Sequence, residues 1–408
     1  MGQIDPRLTR RSFLAGGLGV LSGATAGVLR PTGRAAPPVG EPPASLKSGA
    51  AGATAPLTAE RSSTPTSDGW YVPADHVPHE RTWMAWPARE DVWGGLLGGA
   101  RADVASVAQA IARYEPVSMV ARPDQAREAG SACGPGVDIV KLVNDDLWMR
   151  DMGPIFVVND NGGLAGIDLN FNGWGRKQVH SNDAKIAREV LGLLGLPRFD
   201  APFVSEGGAL EVDGHGTAMA TESSIIEPDR NPGKTKAKLT VEICAYLGVD
   251  KVVWVPGLKN HDITDDHIDG LARFVKPGLI VVDQPANPRA QDVWAKSERQ
   301  ALRIFRSSTD ARGRVLECLI SRESKTIPPG GRPSIFVNVY VNWYVCNGAV
   351  LIPSFDDPDS DAAANRLVAQ LYPDREVVQL RIDTLAEGGG GIHCATQQQP
   401  AVPNLSLV

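Results

Sequence analysis

"PIFVVNDNGGLAGIDLNF", Pro154 to Phe171, sets two short apolar runs on either side of Asn161-Gly162-Gly163. Runs of Val, Ile and Phe joined through Asn-Gly read as a β-hairpin, because Asn and Gly tolerate the positive φ of a tight turn. Beyond it, "DAKIAREVLGLLG" (Asp183–Gly195) places Ile186, Val190, Leu191 and Leu194 on one helical face. Hairpin and helix recur. "GALEVDGHGTAMATESSI" turns around Asp213-Gly214, and "SIFVNVYVNWYVCNGAVLIPSF" turns at Asn347-Gly348. Helical faces recur in "RADVASVAQAIARY" (Val104, Val107, Ala108, Ile111), in "KLTVEICAYLG" (Leu239, Ile243, Leu247, then Gly248 as a stop) and in "DAAANRLVAQLYP". Short strands follow, such as "PVSMVAR", "KVVWVPG" and "EVVQLRI". The unit is strand, loop, hairpin, helix, strand, without a strict sequence repeat. A doubly wound nucleotide-binding sheet would carry GxGxxG or a P-loop, and neither is present. A closed, repeated α/β arrangement fits the pattern.

The bulk numbers agree with a globular protein. Of 408 residues, 42% are hydrophobic and 22% charged, enough for a sizeable core. The net charge of −6 and the absence of a Lys/Arg stripe argue against a nucleic-acid partner. Five cysteines occur, Cys133, Cys244, Cys318, Cys346 and Cys394, with no CxxC pair, so a structural zinc site is not expected.

"TRRSFLAGGLGVLSGATAGVLR" sets Arg10 and Arg11 before a moderately apolar, Gly/Ala-rich stretch. It reads as a twin-arginine export signal over 1–36, engaging the Tat export machinery and leading to a periplasmic, cell-surface or secreted protein. Residues 37–67 are rich in Pro, Ala, Ser, Thr and Gly, and read as a disordered linker. Residues 68–408 form a single domain in this reading. No other stretch is long and apolar enough to span a bilayer, so no stable membrane insertion is expected after processing. An oligomer is compatible with the sequence.

Several strands run into polar segments: "NDDLWMRDMGP" with Asp151, "SEGG" with Glu206, "LKNHDITDDHIDG" with His267 and Asp269, and "DTLAEGGGGIHC" with Cys394. If the units surround an axis, these segments meet at one end. Three carboxylates, one histidine and one thiol are the groups needed to hydrolyse a guanidinium. Carboxylates grip the planar cation, a thiolate attacks its carbon, and a histidine passes protons. Taken singly, each residue has a plainer reading. Asp151 could pair with Arg150, Glu206 could initiate a turn, His267 and Asp269 could lie in a solvated loop, and Cys394 could be a small buried hydrophobe. The four glycines before Ile392 suggest close backbone approach to something. His393 adjoins Cys394, but neighbours in extended chain point to opposite faces, so His267 is the better base. A metal reading rests on His261, Asp262, Asp265, Asp266, His267 and Asp269, whose spacing is not that of HExxH. "DDPDSD" (Asp356–Asp361) lacks the EF-hand glycine and terminal glutamate. Neither a metal nor another cofactor is expected.

From Tyr71 to Pro400 the chain resembles the agmatine deiminase family, which also contains the bacterial peptidylarginine deiminases. The resemblance rests on "VPHERTWMAWP", "WMRDMGP", "FNGWGRK", "EGGALEVDGHGT", "DRNPG", "HIDGLARFVKPG", "VNWYVCNGAVLIPSF" and "GGGIHCATQQQP". It implies the pentein fold, a pseudo-fivefold α/β propeller of ββαβ units, and metal-free thiol hydrolysis. By motif, Cys394 would be the nucleophile and His267 the general acid/base. Glu206 would support His267 or the guanidinium edge, and Asp151 and Asp269 would clamp the substrate. Departures fall at Asp266, where many relatives have Gly, at His215, where "DGEGT" is commoner, and at His76, where Trp is frequent. The substrate expected is agmatine, yielding N-carbamoylputrescine and ammonia. The alternatives are an arginine side chain as substrate, or an exported guanidinium-binding protein without turnover.

Overall fold

The structure is a computed structural model, and it describes residues 64–325 and 336–402. The expected export signal, the linker over 37–63 and residues 403–408 lie outside the described residues.

The first sheet contains β1 (His79–Ala85), β2 (Val117–Ala121) and β3 (Val137–Lys141). The hairpin at Asn161-Gly162-Gly163 is β4 (Ile155–Val158) against β5 (Leu164–Asp168), antiparallel from Ile155↔Ile167 to Val158↔Leu164. A helix then crosses to β6 (Arg198–Asp200), which lies parallel to β5. The pattern repeats in β7 (Glu211–Val212), β8 (Thr217–Thr221) and β9 (Lys251–Val255), then in β10 (Ala272–Lys276), β11 (Leu279–Gln284) and β12 (Glu317–Arg322). The next set is β13 (Tyr344–Cys346), β14 (Ala349–Ser354) and β15 (Glu376–Arg381). The last strand, β16 (Thr396–Pro400), returns to pair antiparallel with β1, so the first sheet also has the antiparallel-then-parallel order. Five such sheets, closed by the two ends of the domain, make the pseudo-fivefold α/β propeller expected.

Five helices carry the parallel crossovers: α1 (Leu97–Ile111), α2 (Asp183–Leu194), α3 (Lys236–Leu247), α4 (Val293–Arg306) and α5 (Pro358–Leu371). α1 buries Val104, Val107, Ala108 and Ile111, the face read from the sequence. α3 starts where the Thr235 side chain accepts from Lys238 N–H, and stops at Gly248, whose φ of 69° suits a residue without Cβ.

Three elements escape the pattern reading. α4 buries only Ala295, Glu298, Ala301 and Phe305, a stripe too weakly apolar to stand out. The β10–β11 hairpin turns at Pro277-Gly278, with Gly278 at φ 82°. The run before Asn347 is not one strand: β13 begins only at Tyr344, leaving Asn342 outside it. The linker boundary also shifts, because Thr66 Oγ1 donates to Ala245 O at 2.6 Å and ties a short turn over Pro65–Asp68 to α3. Among the described residues, no helix is long and apolar enough to cross a membrane.

Candidate active site

Each sheet is entered through a loop that ends at its first strand, and the singled-out residues occupy these loops. Asp151 precedes β4, Glu206 precedes β7, His267 and Asp269 precede β10, and Cys394 precedes β16. The remaining loop, before β13, contributes Asn342, which pattern reading missed because it sits inside an apolar run. The fivefold repeat itself was the signal that could have found it.

The five residues read from the sequence do come together. His267 is buried, with Nε2 at 3.2 Å from Glu206 Oε2 and Nδ1 at 3.9 Å from Asp151 Oδ1. Burial works against its charge, but Asp151, Glu206 and Asp269 outweigh burial and raise its pKa to about 9. Asp151 does not pair with Arg150 in the expected plain way. Its Oδ2 accepts from Trp174 Nε1 at 2.9 Å and its Oδ1 from Gly208 N–H at 3.0 Å. Burial, reinforced by Asp269 and Glu206, raises its pKa to about 6. Glu206 does more than initiate a turn. It is buried, and Arg230 Nε donates to Oε1 at 2.8 Å and to Oε2 at 3.1 Å. Burial raises the Glu206 pKa, but Arg230 and His267 more than reverse that and hold it below the usual range.

Cys394 Sγ lies 3.5 Å from Asp269 Oδ2 and 3.2 Å from Asn342 Nδ2. Burial first, then Asp269 and Asp151, push the thiol well above its ordinary pKa. The neighbouring His393 points elsewhere, with Nδ1 at 2.8 Å from Asp269 Oδ2 and Nε2 at 3.2 Å from Asp75 Oδ2. Burial raises the Asp269 pKa, but His393 and His267 overcome it, leaving this carboxylate at about 2. Where the glycine run meets the site, a Cβ on Gly390 would strike the Trp148 ring and one on Gly391 the Asn342 amide. The glycines let the chain pass over these groups and deliver Cys394.

A cavity of about 270 Å³ opens onto Cys394, Asp269, His267 and Asn342. Asp151 and Glu206 are not among its lining residues; they lie behind His267. Its further walls carry Asp292, Glu298 and Glu323 beside Trp294 and Phe336. Such walls favour a cationic, partly apolar guest.

The acidic runs weighed as metal ligands serve other ends. Asp265 is held by Arg230 at 2.8 Å and Lys177 at 2.6 Å. In "DDPDSD", Asp357 caps α5 by accepting from Ser360 N–H, and Asp361 accepts from the Tyr340 hydroxyl. Among the described residues, two groups have ligand atoms close enough for an ion. Asp75 and Glu211 already pair with the Arg273 guanidinium, at 2.6 Å and 3.0 Å, and His393 contacts Asp75 at 3.2 Å. Asp283, Glu298 and Glu323 belong to the outer cavity wall.

This geometry has known counterparts. The profile of the Porphyromonas-type peptidyl-arginine deiminases matches residues 71–400, and the chain belongs to that family. A Streptomyces coelicolor relative is 42% identical, over 81% of this chain and 98% of its own. The agmatine deiminase of Pseudomonas aeruginosa is 37% identical, over 83% of this chain and 98% of its own. Among solved structures, the agmatine deiminase of Enterococcus faecalis superposes with a TM-score of 0.78 at 29% identity, covering 83% of this chain and 98% of that one.

Proposed function

We propose that the chain is a guanidine iminohydrolase that converts agmatine and water to N-carbamoylputrescine and ammonia through a covalent intermediate on Cys394. The observation that carries this reading is the meeting of Cys394, Asp269 and His267 on one cavity wall. Asp269 and Asp151 hold the guanidinium, and Asn342 orients the thiol. Asp151 reaches the guanidinium from behind His267, where its carboxylate faces the same small space beside Gly208 as Asp269 does. Glu206, fixed by Arg230, acts on His267 and is a positioning residue. The acidic outer walls suit the second positive charge of agmatine.

The chemistry follows from the charges. With carboxylates around it the thiol stays protonated in the free protein. The incoming guanidinium offsets those carboxylates, the thiol proton leaves to solvent, and Sγ bonds to the guanidine carbon. The His267 imidazolium gives its proton to the departing nitrogen, and ammonia leaves. Neutral His267 then takes a proton from water, the hydroxide adds to the carbon, the C–S bond breaks, and the hydroxyl proton passes to the leaving sulfur, which releases the neutral ureido product and restores the thiol.

Ammonia release from agmatine, arginine and an arginine-containing peptide, compared side by side, tests the reading. The highest kcat/KM is expected for agmatine. No release from any of them would leave a guanidinium-binding protein, and a preference for the peptide would move the substrate to an arginine side chain. Activity is expected to survive a strong chelator and to vanish with a thiol alkylator. In Cys394→Ser, turnover is expected to be lost while agmatine still binds. In Asp151→Asn, binding should weaken by on the order of tenfold or more, because a buried cation loses a charged partner. We further propose that residues 1–36 direct export and that residues 37–63 link the leader to the domain, supported by Arg10-Arg11 ahead of an apolar stretch.

A further inference from the structure

The five loops do not end at the substrate. Behind Asp269 lies a second set, with His393 and Arg273 buried and Asp75 partly so, that the mechanism leaves unused. The His393 ring bridges Asp269 Oδ2 and Asp75 Oδ2. Asp75 is itself anchored, with Arg273 Nη2 donating to Oδ2 at 2.6 Å and Gln398 Nε2 donating to Oδ1 at 2.6 Å. The contacts join the segment before β1, the loop before β10 and the loop before β16; Asp75 and Asp269 lie 318 and 124 residues from His393 in sequence. The same Asp269 oxygen that takes the His393 bond is also 3.5 Å from Cys394 Sγ.

We propose that His393, braced from behind by Asp75, is the positioning residue that orients Asp269 and keeps it ionised for the guanidinium; this rests on the guanidine-binding reading of the same cavity. The physical case is a comparison of two carboxylates. Asp151 and Asp269 are both buried, both near His267, and close enough to repel one another. Asp151 takes N–H donors from Trp174 and Gly208 and rises to about 6, whereas Asp269, with the His393 hydrogen bond as its largest lowering influence and the His267 and Arg273 charges nearby, falls to about 2. His393, with the Arg273 charge beside it, separates the two titrations, so that near pH 6 only one of the pair gains a proton. Its own balance is set by burial, then Arg150 and Arg273, which lower its pKa, against Asp269 and Asp75. The net direction is downward, and a neutral ring has one N–H to give. The shorter contact assigns that N–H to Nδ1 and Asp269.

The test uses agmatine binding by calorimetry between pH 4.5 and 7.5, in a Cys394→Ser background where the ligand persists. With His393 present, the limb below about pH 6 is expected to reflect about one proton, that of Asp151, because Glu211 at about 7 and the cavity-wall Asp266 at about 8 already carry theirs there. His393→Ala should weaken binding by roughly tenfold or more and steepen the limb toward about two protons, since Asp269 then titrates with Asp151. His393→Asn keeps an amide N–H near the place of Nδ1 and should recover most of the affinity with a limb of about one proton. A residue needed only for packing would weaken binding without changing the slope. An unchanged slope in a folded His393→Ala protein overturns the proposal. If His393→Ala does not fold, His393→Asn decides: a steep limb or a large loss of affinity in it overturns the proposal, and a limb of about one proton with near-normal affinity supports it. If the parent Cys394→Ser protein binds no agmatine, the proposal falls with the clamp it serves. Binding without ammonia release by the wild-type protein would sink the catalytic reading alone.

Discussion

His267 Nε2 lies 3.2 Å from Glu206 Oε2, and Glu206 is gripped from its other side by Arg230. All three side chains are buried, so the glutamate is a fixed negative charge between two cations rather than a mobile base. A neutral His267 would leave Glu206 and Asp151 with less compensation in a region shielded from water. The arrangement stores the proton that the leaving nitrogen needs.

That stored proton has a stability signature. His267 titrates at about 9 in the folded protein against 6.5 for an ordinary histidine. A raised histidine pKa contributes stability that is complete below about pH 6.5 and is lost as pH rises through about 9. Chemical denaturation at pH 6.5 and 9.5 should show wild type losing on the order of 3 kcal/mol more than His267→Gln over that interval. Equal losses in the two proteins would mean that His267 is uncharged.

The 3.5 Å separation of Cys394 Sγ and Asp269 Oδ2 makes an unusual pairing of effects. Asp269→Asn should weaken agmatine binding, yet it removes a negative charge that holds the thiol protonated. Alkylation of Cys394 at pH 8, followed peptide by peptide by mass spectrometry, should speed up by about tenfold in this variant. Slower alkylation would show that Asp269 does not suppress the thiolate.

Gly208 sits where the site has no spare room. A Cβ there would lie 2.7 Å from His267 Nδ1, 2.9 Å from Asp151 Oδ1 and 3.1 Å from Asp269 Oδ2. Gly208→Ala should therefore lower kcat/KM by roughly 100-fold, as a small displacement of catalytic groups can. It should cost only about 1–3 kcal/mol of stability, the usual range for overpacking. Near-normal turnover would show that these three groups tolerate displacement.

The proposed leader predicts a location. Arg10→Lys combined with Arg11→Lys should trap the precursor in the cytoplasm, read by fractionation and by the mass of the accumulated chain. Normal export of the double variant would refute the twin-arginine reading.

Much of this was legible in the sequence because its signals are local. Asn161-Gly162-Gly163 and Asn347-Gly348 mark hairpins, and apolar spacing marks α1, α2, α3 and α5. A turn residue or a helical stripe acts on its own few neighbours, so it can be read without knowing what lies across the fold. The polar ends of the strands likewise exposed Asp151, Glu206, His267, Asp269 and Cys394. α4 was hidden because Ala295, Glu298 and Ala301 form much of its buried stripe, and their burial depends on what packs against them.

The chain alone determined the order of hairpins and helices and the kinds of chemical group available to the site. Tertiary structure decided which groups touch. Asn342 reaches Cys394 across 52 residues, Arg230 reaches Glu206 across 24, and Asp75 meets His393 across 318. It also decided the charges. Asp151 and Asp269 are the same residue type in loops of the same repeated kind, yet one stands at about 6 and the other at about 2. Nothing local distinguishes them, because a carboxyl's pKa is set by its burial and by the charges that long-range folding brings within a few ångströms.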